Sequence, residues 1–145
     1  MKFQYKFAAI KRIKEIFEKR VQKEVAAIQL EIDRAREEYE EVLKVRMEAY
    51  KKEIKLISSS DLKFHKNYIV SLNRELERIR MKIDQLLFDK EKKLEELIQK
   101  SKEQKIFSTL EEIHHEEFIK ELNKEEMHNL DEIATSRYIS SRMKE

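Results

Sequence analysis

Residues 21–42 read VQKEVAAIQLEIDRAREEYEEV, and their regularly spaced apolar positions are Val21, Val25, Ile28, Ile32, Ala35, Tyr39 and Val42. The steps alternate strictly between four and three. A 3.5-residue repeat keeps one stripe of an α-helix against a partner that supercoils around it, so this spacing predicts one arm of a coiled coil. Backward, the stripe extends through Phe17, Ile10, Phe7 and Phe3, with Lys14 interrupting it. Forward, it continues more loosely through Val45, Ala49 and Ile57. Helix one is therefore expected over about residues 3–57.

Ser58, Ser59, Ser60 and Asp61 then break the pattern. Short hydroxyl and carboxylate side chains satisfy the free N–H groups at the start of a helix, so residues 58–61 read as a turn followed by an N-cap. A helix running straight through is the other reading, because serine disfavours helix only weakly. Helix two is expected over about residues 62–134. Its seam restarts at Ile69, Leu72, Leu76, Ile79, Ile83 and Leu86. Leu87 then takes over and moves the phase onto Leu94 and Leu97. Ser108-Thr109-Leu110-Glu111 either opens a new helical segment as a capping box or is tolerated inside the helix. Phe107, Leu110, Phe118, Leu122, Leu130 and Ile133 supply a less regular stripe, and residues 135–145 are expected to fray. With one turn near residues 59–60, residue i should face roughly residue 119 minus i. The expected fold is all-α: a long antiparallel two-helix coiled-coil hairpin, one domain over residues 1–145, with the end of helix two projecting beyond helix one.

Composition supports long helices. The chain has 145 residues with no Gly and no Pro, 43% are charged and 40% are hydrophobic. Turn-rich folds need Gly or Pro, whereas Glu, Lys, Leu and Arg favour helix. Without Cys there is no disulfide and no thiolate metal site. No apolar run approaches a membrane span, and the charged start does not read as a signal peptide; both favour the cytoplasm. Charge is unevenly placed. Residues 2–23 carry eight Lys/Arg against Glu15 and Glu18, while residues 111–132 carry nine Asp/Glu against Lys120 and Lys124. Antiparallel closure brings these opposite charges together, which favours it over a parallel dimer.

No catalytic or cofactor chemistry is legible. His114 and His115 are sequence neighbours and point about 100° apart on a helix, so the i,i+4 histidine pair of a zinc helix is absent. Paired carboxylates such as Glu37/Glu38 lack any sign of a dry pocket that would separate their pKa values. A chain without glycine cannot build a phosphate-cradling loop. Lys2-Phe3-Gln4-Tyr5-Lys6-Phe7 interleaves bases and rings as a single-strand binder would. Phe3 and Phe7 at i,i+4 read more simply as seam, however, and nucleic acid is not an expected partner. The chain is expected to bind other proteins. Leu43, Tyr50 and Tyr68 lie beside the seam near the turn, where they either widen the core or form a docking patch.

The two ends resemble the FliJ family of flagellar type III export proteins. Its members open on alternating hydrophobic residues, here Lys2-Phe3-Gln4-Tyr5-Lys6-Phe7, followed by Ile10, Ile13, Lys14, Glu15 and Glu18. They close on a Glu-rich segment, here Glu125-Glu126-Met127-His128-Asn129-Leu130-Asp131-Glu132-Ile133-Ala134. Phe7 departs from the usual leucine, and the late arm is more acidic than in many members. The resemblance implies a stalk-like protein whose paired termini enter the pore of the hexameric export ATPase and promote its assembly. It also implies contact between the hairpin tip and the soluble part of the membrane export gate, and handling of export chaperones. Association with the membrane would be peripheral, through these partners. The resemblance adds Tyr39, Arg46, Leu72 and Ile79 to the tip residues. Lys11, Arg12, Lys19 and Arg20 stand in the basic segment that would meet the ATPase. A stalk subunit of a rotary ATPase or of a virulence secretion system, and a generic structural coiled coil, are the alternative readings.

Overall fold

The computed structural model describes residues 2–53, 55 and 59–144. Two long helices, α1 (Ala8–Glu53) and α2 (Ser59–Met143), pair as an antiparallel hairpin. Ile57 and Ser58, assigned above to the seam and the turn, lie outside the described residues. Ser59, Ser60 and Asp61 belong to the first turn of α2 rather than to the turn before it. There the Asp61 carboxylate complements the positive end of the helix dipole. Residues 135–143 are helical instead of frayed. The Thr135 hydroxyl donates to the Asp131 carbonyl at 2.8 Å, and Arg142 sits in the last turn, where a cation suits the dipole. The helix also passes unbroken through Ser108, whose Oγ accepts a bond from Gln104 Nε2 at 2.7 Å.

The chain divides into two compact units, Glu18–Lys100 and Met1–Phe17 with Ser101–Glu145, here termed central and terminal. In the central unit the four-three spacing of α1 becomes a seam in which Val21, Ile32, Ala35 and Ala49 are buried against Ile69, Leu76 and Ile79. Cross-helix pairs follow the expected register: Arg46 with Asn73 and Lys90 with Gln29 fall on it directly, and Arg78 with Glu38 and Lys93 with Glu24 lie close to it. Two details differ from the sequence reading. Val45 is 40% exposed, and the half-buried Arg46 holds the position between Val42 and Ala49, so the spacing stays strict instead of loosening.

The second difference lies in α2. Leu87 and Leu94 are exposed, whereas Lys90 and Lys93 are half-buried on the unshifted sequence of steps from Leu86 to Leu97. The phase therefore does not move. Lysine stems cover the seam and carry their ammonium groups outward, Lys90 Nζ to Gln29 Oε1 at 2.7 Å and Lys93 Nζ to Glu24 Oε2 at 2.7 Å. An apolar count alone follows the leucines and misses this, because it treats lysine as wholly polar.

The terminal unit starts differently from the expected helix. Residues 2–5 carry no regular structure and residues 6–7 form a turn into α1. Phe3, Tyr5 and Phe7 are half-buried and Lys2, Gln4 and Lys6 are exposed, the period of an extended chain. Each inward ring meets α2: Phe3 against His115 and Phe118 (5.0 and 5.5 Å between centroids), Tyr5 against His114 (5.7 Å), and Phe7 against Phe107 and His114 (both 6.2 Å). The Tyr5 hydroxyl donates to the Phe107 carbonyl at 2.7 Å. An i,i+4 reading of Phe3 and Phe7 overlooked Tyr5 between them, the residue that reveals the period of two.

From Lys11 onward the terminal seam is largely polar. Counting back from Val21 in steps of three and four lands first on Glu18, still in the central unit, and then on Lys14, Lys11 and Phe7, all half-buried. Ile10 and Phe17, assigned to the seam above, stand outside it on the exposed side. Lys11 pairs with Glu111 and Lys14 with Glu103, the latter at 3.1 Å. Beyond Leu122, every described residue of α2 is exposed.

Candidate protein-binding surfaces

A rule of antiparallel helix pairs orders the surface. Successive helical residues turn by 100°, so a residue just before a seam position and one just after it flank opposite edges. In an antiparallel pair, the before-seam residues of both helices share one edge. Arg78 and Glu38, both before-seam residues, illustrate this with an ion pair at 3.3 Å.

Near the turn, Leu43 follows Val42 and Tyr50 follows Ala49, which places them on one edge. With Glu40, Lys44, Arg46 and Met47 they line a shallow groove of about 290 Å³. The Arg46 guanidinium lies 6.0 Å from the centroid of the Tyr50 ring and donates to Asn73 Oδ1 at 3.0 Å, which tethers the groove floor to α2. Tyr50 is 45% exposed and Leu43 is half-buried. Tyr68 is 47% exposed but precedes Ile69, so it stands on the other edge, beside the exposed Phe64. Leu43, Tyr50 and Tyr68 thus do not make the single patch suggested by pairing alone.

Tyr39 and Leu72 are half-buried seam residues with only their margins outside. Ile79 is 0% exposed and presents no surface at all; it is core. The sequence reading missed Met47, Phe64 and Val70, all well exposed. The before-and-after rule applied to the seam would have found them: Met47 and Val70 join Tyr50's edge, and Phe64 joins Tyr68's.

The four basic candidates fall in different settings. In the terminal unit, Lys11 is half-buried and paired with Glu111 and, at 3.8 Å, with Glu15. Its hydrogen bond to Glu111 holds its ammonium above the usual lysine range. Burial pushes the neighbouring Tyr5 phenol up, and the Glu111 carboxylate adds to the effect. Arg12 is exposed and makes no ion pair among the described residues; it borders a groove with Tyr5, Ala8, Lys11, Glu15 and Glu111. In the central unit, Lys19 is exposed without an ion pair among the described residues, and Arg20 contacts Glu24 of its own helix at 3.7 Å. Lys11 is thus committed to the chain itself, while Arg12 and Lys19 are available.

Among the described residues no group of three or more His, Asp or Glu could hold a metal ion, and no helix is long and apolar enough to cross a membrane. The family described as Flagellar FliJ protein matches residues 3–143. No curated protein and no solved structure matches the chain.

Proposed function

Since the chain belongs to the FliJ family, whose non-enzymatic members serve flagellar type III export, we propose that it binds the hexameric export ATPase through its terminal unit and the soluble part of the membrane export gate through its tip. Its general role, in flagellar protein export alongside other components of that apparatus, follows from the family. The finer reading assigns it to the cytoplasmic face of the membrane, with export chaperones as further partners.

The observation that carries this reading is the make-up of the terminal unit. The ring-locked start of the chain lies against α2, and α2 runs on from 123 to 143 with all residues exposed. Such a paired end followed by a bare helix suits insertion into a ring, where small contacts are distributed around a slender rod. Binding would favour the assembled ring and so raise turnover by linkage, without a catalytic group from this chain. Arg12 in the terminal unit and Lys19, which follows that unit along α1 at the start of the central one, are the exposed cations suited to ring carboxylates; Lys11 and Arg20 would have to exchange partners first. At the tip, Leu43, Arg46 and Tyr50 form the docking edge, Tyr39 and Leu72 support it, and Tyr68 serves the opposite edge.

The test is ATP turnover of the export ATPase titrated with the intact chain and its variants, with helicity checked separately. Arg12→Glu with Lys19→Glu should lower the stimulation, whereas Tyr50→Ala should leave it intact and weaken gate binding. An intact chain that changes neither hexamer population nor turnover rules the reading out.

A further inference from the structure

Formal charge is spread unevenly along the hairpin. In the terminal unit basic and acidic side chains are equal in number, so the cationic start of the chain is balanced by the acidic late arm of α2. In the central unit outside residues 50–67, acids slightly outnumber bases. Within residues 50–67 the balance reverses: Lys51, Lys52, Lys55, Lys63 and Lys66 stand against Glu53 and Asp61 alone. The turn end of the hairpin therefore carries the positive surplus.

All five lysines are exposed, and none makes an ion pair among the described residues. The edge rule sets the helical ones around the rod. Lys52 precedes Glu53, a half-buried seam position, and shares the edge of Phe64 and Tyr68. Lys63 and Lys66 follow the half-buried seam residues Leu62 and His65 and share the edge of Tyr50. Lys51, two residues from the seam on either side, stands on the outward side of α1. At a rise of ~1.5 Å per residue, these four lie within about 11 Å of the turn ends of their helices. Rings accompany them on both edges, since Phe64 is 74% exposed and Tyr50 and Tyr68 are exposed too. Helix stability does not account for the whole set. Lys51 and Lys52 suit the negative end of the α1 dipole, but Lys63 and Lys66, near the positive end of α2, gain nothing from it.

We infer that the turn end binds an anionic lipid bilayer end-on, with the lysine collar at the headgroup phosphates and Phe64 at the boundary of the apolar layer. A partner protein seated on one edge would be matched by charge on that edge. Cations on both edges and on the outward side of α1 match instead a surface that meets every side of the rod at once, as a plane does. Lysines near an anionic bilayer each add attraction within about one Debye length, and a ring at the headgroup level adds burial. The contact goes beyond the gate binding proposed above and needs no protein at the membrane.

Flotation of the full chain with lipid vesicles tests the inference, comparing phosphatidylcholine alone with phosphatidylcholine enriched in phosphatidylglycerol. The chain should float with the anionic vesicles only and be released as salt is raised. Lys51→Glu with Lys52→Glu, and separately Lys63→Glu with Lys66→Glu, alter exposed positions and should each lower the partition at least about tenfold. Phe64→Ser should weaken it less. Lys2→Glu with Lys6→Glu, in the other basic segment, should leave it unchanged. Helicity is measured for every variant. A wild type that does not float, equal binding to both vesicle sets, loss from only one of the two lysine pairs, or loss from the Lys2 and Lys6 reversal would each overturn the inference. A tip that ignores vesicles yet holds the soluble part of the export gate through the same lysines would also overturn it, while leaving the gate reading in place.

Discussion

The central and terminal units use the same heptad frame and fill it differently. In the central unit the seam is mostly apolar, with Ile32 and Ile79 fully buried, and the charged residues on it, Arg46, Lys90 and Lys93, carry their charges to partners at its edge. In the terminal unit Lys11, Lys14 and Glu111 occupy the seam, rings from an extended segment lock the end, and isoleucines face solvent. The difference separates two tasks. A seam of branched aliphatics closes the hairpin by itself through burial. A polar seam contributes less to stability but leaves apolar surface free for recognition. The helix pair is thus closed by a mostly apolar seam in one unit, while in the other much of the apolar surface stays outside the seam.

The largest break should come from the central core. Ile79→Ala removes a side chain with no exposure and should cost about 2–5 kcal/mol, read as a fall in the thermal midpoint of helicity. A cost near zero would mean that the seam does not hold the hairpin. In the terminal unit Phe7→Leu keeps apolar volume but drops the ring contacts to Phe107 and His114. Its expected cost is about 0.5–1.5 kcal/mol, and hydrogen exchange should report it locally, around the start of α1.

A smaller effect sharpens the register. Leu87→Ala should change stability by no more than about 0.5 kcal/mol, because Leu87 is exposed while Lys90 and Lys93 carry the seam. A loss comparable to that of Ile79→Ala would restore the phase shift that the leucine spacing suggested.

The smallest effect is that of pH. The Glu24 carboxyl is held below its usual range by its hydrogen bond to Lys93, and Glu75 likewise by Arg78. Their contribution is therefore complete above the ordinary value of 4.5 and lost as pH falls through the lowered folded value. Glu24→Gln should flatten the acid limb of the stability curve slightly. An unchanged limb would remove this pair from the account.

Much of the fold was legible because two signals reinforce each other. The strict steps from Val21 to Val42 define one helix face, and the absence of Gly and Pro forbids most alternatives to long helices. Pairing register was legible too, since a single interruption near residues 58–61 fixes which residues oppose. The errors share a physical origin. Lys90, Lys93, Lys11 and Lys14 lie on the seam because their stems are apolar, yet an apolar count discards them and follows Leu87, Ile10 or Phe17 instead. Phe3 and Phe7 satisfy two periods at once, and only Tyr5 decides between them. At the tip, Tyr50 and Tyr68 lie opposite in register but on different edges, a distinction set by the direction of rotation about each helix. Ile79 shows the limit of carrying a surface over by resemblance: in this chain it is core.

If the terminal unit is the ATPase-binding end and the central seam holds the hairpin closed, the two should respond differently to the ATPase. Hydrogen exchange of the full chain with and without the hexameric export ATPase tests it most directly. Added protection is predicted over residues 2–17 and 101–144, strongest beyond residue 122, where the free helix has no cover, with residues 25–46 and 69–93 unchanged. Protection confined to the central segments, with the terminal ones exchanging as in the free chain, would contradict it.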